Sequence, residues 1–245
     1  MLVKNKKPFG MGVVLAVSFF AVLLMIFSPI FGGQNGLRFA DSSFNKLSKG
    51  SSYFIPKVAK SNEKYMGRMF AVDIKTDKPD DKPGDAEKRA ENIAKIMTTA
   101  GATATVNGAA VKIEGDLGKV LASALQDSDD MFKNQGEKIK ARYANDDEKK
   151  MFRQWHNGLT KINKEFQKEK KIEESKIVSD VIKKAVEPAY NFYHIEGEKV
   201  VDHAGMMSGL LVFYVAYTMW WGYAIFYLFD GIGLTMKKAK VKKEA

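Results

Sequence analysis

His194, Glu196, Glu198, Asp202 and His203 crowd into ten residues, and imidazole and carboxylate are the donor types that hold divalent metals. Their spacing matches no ligand template, since no His-x-x-x-His is present and Glu196-Gly197-Glu198-Lys199 reads as a polar turn. Asp73, Asp77, Asp80, Asp81 and Asp85 surround a second acidic stretch. It misses the EF-hand pattern, and Lys75, Lys78 and Lys82 offset its charge. His156, beside Trp155, reads as a partly exposed structural residue. With no cysteine in 245 residues, thiolate zinc sites, iron–sulfur clusters, disulfides and thiol catalysis are excluded. Hydroxyl nucleophiles lack a Gly-x-Ser-x-Gly or Ser-x-x-Lys setting, and no phosphate-binding glycine loop occurs. The expectation is a chain that is not an enzyme, with no catalytic, metal-binding or cofactor-binding residue.

The chemistry that remains is that of surfaces in lipid. From Met11 to Phe31 no residue is charged, and about 20 apolar residues cross a bilayer as a helix. Lys4, Lys6 and Lys7 precede this run, which is too long and lacks the small-residue exit of a cleavable signal, so it reads as an anchor. Met206 to Phe229 is a second uncharged run, closed by Asp230 and followed by Lys237, Lys238, Lys240, Lys242 and Lys243. Lysines outside both runs predict both termini in the cytoplasm and residues 32–205 on the far side. Of the net charge of +10, +3 lies in residues 1–31 and +3 in residues 205–245. The basic pI of 9.4 therefore reads as topology, and no nucleic acid is expected as a partner.

Small residues four apart let helices approach closely in lipid. Gly12 with Ala16, Gly205 with Gly209, and Thr218 with Gly222 are the candidate packing positions. Nine of the residues from Phe213 to Phe229 are aromatic, and Tyr214, Tyr217, Trp220 and Trp221 fall near mid-span, where hydroxyl and indole N–H groups need acceptors. They are read as facing a partner subunit. Haem needs strong axial ligands, and only Met206, Met207, Met219 and the nearby His203 are offered. With no ionisable group inside either run, ion translocation by these helices alone is not expected.

Between the runs, residues 32–66 read as a semi-ordered juxtamembrane segment in which Phe39, Phe44 and Leu47 share a short helical face capped by Asp41-Ser42. Residues 67–135 read as a small α+β domain. Arg68–Ile74 suits a strand, and Asp85 is read as capping a helix to Ala100 through Ala90, Ile93, Ala94, Ile96 and Met97. Asn107-Gly108 predicts a type I′ hairpin, and Asp116 caps a helix through Leu117, Val120, Leu121 and Leu125. A ferredoxin-like order would add a fourth strand, which has no evident place. Residues 136–205 read as a helical segment. Asn145 with Glu148 signals a helix through about Ala185 that Pro188 must end, as a bent helix or a helix pair. Phe152, Trp155, Leu159, Ile162 and Phe166 form a two-heptad seam that either packs within the domain or pairs with a second chain.

The expected architecture is α+β: a cytoplasmic stretch (1–10), two transmembrane helices (11–31 and 206–229) flanking an extracytoplasmic sandwich with a long helix or helix pair, and a basic cytoplasmic tail (230–245). The expected role is a non-catalytic accessory or scaffolding subunit of a bacterial inner-membrane complex with a periplasmic domain. Its expected partners are the lipid bilayer and either a larger integral subunit or copies of itself. The alternatives are an envelope sensor or ligand- or peptide-binding module, and a redox subunit binding haem b or quinone.

Overall fold

The computed structural model describes residues 3–144 and 146–234, so Asn145 and the five lysines of the basic tail lie outside the described residues. The chain divides into two compact units, Met1–Phe44 with Lys199–Ala245, and Asn45–Glu198.

The first unit is built on two apolar helices, α1 (Lys6–Phe27) and α10 (Ala204–Ile232), both long and apolar enough to cross a membrane. Helix α1 starts earlier than the apolar run, since lysines are good helix formers and Pro8 sits in the first turn, where its missing N–H is tolerated. It also stops four residues before Phe31. Pro29 holds Ser28 in the extended region (φ −82°, ψ 155°), and Ser28 turns its hydroxyl back onto Met25 O at 2.6 Å. Helix α10 runs past Asp230 by most of a turn. Gly233 (φ +82°) ends it, with Gly233 N–H on Asp230 O and Leu234 N–H on Phe229 O, a Schellman cap.

The juxtamembrane stretch is more regular than expected. It forms α2 (Gly36–Ser51) and α3 (Ile55–Asn62). Asn35 Oδ1 caps α2 by accepting from Arg38 N–H at 2.9 Å. Asp41 and Ser42 therefore lie inside the helix instead of starting it.

In the second unit, β1 (Met69–Lys75), β2 (Thr103–Asn107) and β3 (Ala110–Asp116) form an antiparallel sheet in the order β1-β3-β2. No fourth strand joins it among the described residues. Phe70, Val72 and Ile74 on β1 and Val111 and Ile113 on β3 are buried, while the intervening residues are exposed. One face of the sheet thus lies under helices, as alternation predicts. The hairpin register pairs Asn107 with Ala110, which leaves Gly108–Ala109 as the two-residue loop. Only Gly108 has positive φ (+56°), so the turn follows the II′ pattern with glycine first, and not the I′ turn expected at Asn107-Gly108.

Helix α4 (Asp85–Thr99) buries all five residues of its expected apolar face. Gly84 stands at its N-cap, and Asp85 instead accepts the backbone N–H of Lys82. Helix α5 (Leu117–Phe132) is capped by Asp116, which accepts from Lys119 N–H. After α6 (Gly136–Arg142), α7 (Glu148–Lys168) is capped by Asp147, which accepts from Lys150 N–H at 2.7 Å.

The bent-helix and helix-pair alternatives resolve to the pair. Lys170 (φ +58°) turns the chain, and α8 (Ile172–Val181) begins two residues on. Pro188 does not end the second helix. A π-helical turn at Ile182–Val186 intervenes, and Pro188 falls in the first turn of α9 (Glu187–Asn191), where no N–H is required of it. Phe152, Trp155, Leu159, Ile162 and Phe166 are each 0% exposed in the chain's own core, so none is left to meet a second copy. That core runs without a break from Ile55 to Tyr193, joining the sandwich to the helical segment.

Candidate functional site

The pairing of α1 with α10 is antiparallel, because contacts climb one helix as they descend the other. Tyr217 OH donates to Phe19 O at 3.1 Å and its ring stacks on Phe19 with centroids 4.2 Å apart. Trp220 Nε1–H donates to Leu15 O at 3.1 Å. A Cβ on Gly12 would lie 2.6 Å from Leu228 N, and one on Gly231 would lie 2.6 Å from Phe9 Cβ. Beyond them the end of α10 is capped from outside the helix. Lys4 and Asn5 N–H both reach Gly231 O at 2.9 Å, and Asn5 Nδ2 donates to Asp230 O at 3.0 Å. These bonds satisfy carbonyls that the last turn of a helix leaves unpaired.

Of the expected packing positions, only Gly12 lies at a close approach that a side chain would block, and Ala16 is half-buried. Gly205, Gly209 and Gly222 have open space where a Cβ would stand. Thr218 Oγ1 bonds its own helix at Tyr214 O and Val215 O. The two pairs on α10 thus do not build the hairpin. Tyr217 and Gly231 do so against Phe19 and Phe9, with the buried Ala224 midway between them at heptad spacing, and the Leu228 backbone meets Gly12. A heptad of small and aromatic residues was the readable signal for it.

The mid-span aromatics divide. Tyr217 and Trp220 find acceptors on α1, and Trp221 packs on Phe19 at 4.7 Å, so these three serve the hairpin. Tyr214 stays 65% exposed. Tyr223, 53% exposed, lines a shallow apolar groove with Leu15, Ala216, Met219, Trp220 and Tyr227. Neither the Tyr214 nor the Tyr223 hydroxyl has an acceptor among the described residues.

The second unit holds a buried polar node that sequence reading missed. Asp127, on α5, is fully buried. Its carboxylate accepts from Trp155 Nε1 at 2.6 Å and from Tyr143 OH, and it pairs with Arg142, whose second nitrogen reaches Asp130 at 2.9 Å. Trp155, Tyr143 and Arg142 around one buried carboxylate tie α5, α6 and α7 together. Burial pushes the Tyr143 phenol up to about 12. A buried Trp on the α7 seam was the available hint, since its N–H requires an acceptor.

Several of the acidic candidates are likewise engaged. Asp81 makes a two-pronged pair with Arg89, at 2.5 and 2.9 Å, which holds its carboxyl down at about 2. Glu196 accepts from Asn134 Nδ2 at 3.1 Å, and Glu198 pairs with Lys46 at 2.9 Å. Among the described residues no three His, Asp or Glu side chains converge as a metal site would require.

His156 faces Glu187 at 3.4 Å on the rim of a cleft of about 330 Å³, floored by Phe152 and Val186 and bordered by Arg153 and Tyr190. The π turn, a feature often found at functional sites, ends at this cleft. Compared with protein-family models, curated proteins and solved structures, the chain matches none.

Proposed function

We propose that the protein is a non-catalytic accessory or scaffolding subunit of a bacterial inner-membrane complex, with the α1–α10 hairpin in the bilayer and residues 45–198 displayed in the periplasm. The observation that carries this reading is the unspent surface of α10. Side chains on a helix lean toward its N-terminus, so the Tyr223 ring leans from the C-terminal half of α10 back toward mid-span. A hydroxyl there wants an acceptor that lipid tails lack, and another membrane helix supplies one. Gly209 and Gly222, open on the hairpin, give such a helix room to approach. The lysines outside both spans support cytoplasmic termini.

Isolation of the full chain in mild detergent tests the proposal. A stoichiometric integral-membrane partner, or a defined oligomer, is expected, and Gly209→Leu with Gly222→Leu should release it while leaving the hairpin intact. Recovery of the chain alone, repeatedly and at full yield, would contradict it.

A second reading, a ligand- or peptide-binding module, is favoured by the His156–Glu187 cleft. Its size suits a small molecule, with an apolar floor and a few polar groups on the rim. Fragment screening by ligand-observed NMR tests it, and Asn191→Trp, at an exposed point of the cleft lining, should abolish any signal that arises there.

A further inference from the structure

Helix α2 carries Leu37, Ala40, Phe44 and Leu47 at spacings of three and four, one apolar stripe, with Arg38, Ser42 and Asn45 around the other side together with Phe39, which does not share the face of Phe44 and Leu47 as expected. Leu47 is buried in the chain, but Leu37 is 56% exposed and Phe44 43%. The depth at which this stripe begins is fixed by geometry within the first unit. A Cβ on Gly36, the first residue of α2, would stand 3.1 Å from both Ile26 O and Ile26 Cγ2, in the last turn of α1. Phe31 and Gln34 exchange backbone hydrogen bonds at 3.0 and 3.1 Å, and Phe31 stacks on Phe39 at 5.6 Å, which closes the link between the helices tightly. A 22-residue helix is about 33 Å long at 1.5 Å per residue, against a hydrocarbon core of about 30 Å. The last turn of α1, and with it the first turn of α2, therefore lies where acyl chains meet headgroups. Leu24 and Phe27 in the last turn of α1, Ile30 in the link and Leu37 in the first turn of α2 are all exposed.

We propose that α2 lies in the membrane interface with Leu37, Ala40 and Phe44 against the acyl chains, so that the protein holds one leaflet by an in-plane helix beside its spans. The occupant of this face is lipid, because the face starts at the depth of the bilayer surface, one short link beyond the exposed apolar residues of the last turn of α1. The inference rests on reading α1 and α10 as spans.

The chain has no cysteine, so single nitroxide labels are placed without background. The full chain is reconstituted in vesicles of zwitterionic and anionic lipid, labelled singly at Leu37→Cys, Phe44→Cys, Val14→Cys in α1 and Lys119→Cys in the domain. All four positions are exposed, so the labels leave packing undisturbed. Power saturation with oxygen and a water-soluble nickel chelate reads depth. Labels at 37 and 44 should favour oxygen over nickel several-fold, at depths between those at 14 and 119. Labels at 37 and 44 as open to nickel as that at 119, with 14 still deep, would overturn the in-plane helix and leave the spans standing. A label at 14 open to nickel would overturn both.

Discussion

Asp127 is an unusual residue to bury, and its worth lies in what its removal strands. Asp127→Ala leaves the buried Trp155 and Tyr143 donors without their acceptor and takes from Arg142 one of its two carboxylate partners, and should lower stability by about 3–5 kcal/mol. A thermal melt of the full chain in detergent will show this as a Tm lower by roughly 6–20 °C. The Tyr143 phenol makes a separate prediction. Its folded value of about 12 stands above the ordinary 10, so its contribution is complete below pH 10 and is lost as pH rises toward 12. About 1.4 kcal/mol should be gone by pH 11. Tyr143→Phe should flatten that alkaline limb relative to its own neutral-pH stability. A limb of unchanged slope would assign the loss to other groups. Of this node only the Trp155 donor was hinted at by the sequence, and its acceptor was not legible, because Gln126-Asp127-Ser128-Asp129-Asp130 looks like any solvated acidic run until Trp155 is seen above it.

At the scale of elements, the signals that were legible were those set by local chemistry. Asp116 caps α5, alternation sets β1 and β3, and the α4 stripe is buried as its periodicity requires. The missed elements turn on relations over distance. Pro188 ends a helix by local rules, yet the π turn ahead of it lets the helical path continue. Small residues four apart are common in apolar helices, and which of them meet a partner depends on which face is turned inward. The hairpin uses Gly12 and Gly231. Gly12→Leu or Gly231→Leu should therefore separate the helices, whereas Gly209→Leu should not. Oxidative cross-linking of Lys4→Cys to Leu234→Cys gives the readout, with yield falling several-fold in the first two variants and unchanged in the third.

For the molecule as a whole, the decisive feature of the second unit is that its ends meet. Glu198 N–H donates to Lys46 O at 3.1 Å, Lys46 pairs with Glu198, and Gly50 packs under Glu198 where any side chain would collide. Beside them Lys49 is buried, its ammonium donating to Asn134 Oδ1, Phe192 O and Ile195 O, and burial lowers its pKa. A unit with adjoining ends and one unbroken core is suited to fold by itself. Residues 45–198 expressed alone should be soluble and melt cooperatively, and Lys49→Met should lower that melt by several degrees, since the Phe192 and Ile195 carbonyls lose a buried donor.

The central claim is that the chain crosses a bilayer twice and leaves residues 45–198 on the side opposite its ends. Single cysteines at Lys119 and Lys4, probed with a membrane-impermeant maleimide in intact bacterial cells, test it most directly. The account predicts that Lys119→Cys reacts at once and Lys4→Cys only after permeabilisation. Equal reactivity at both positions, or a chain that stays in the supernatant when membranes are pelleted, would contradict it.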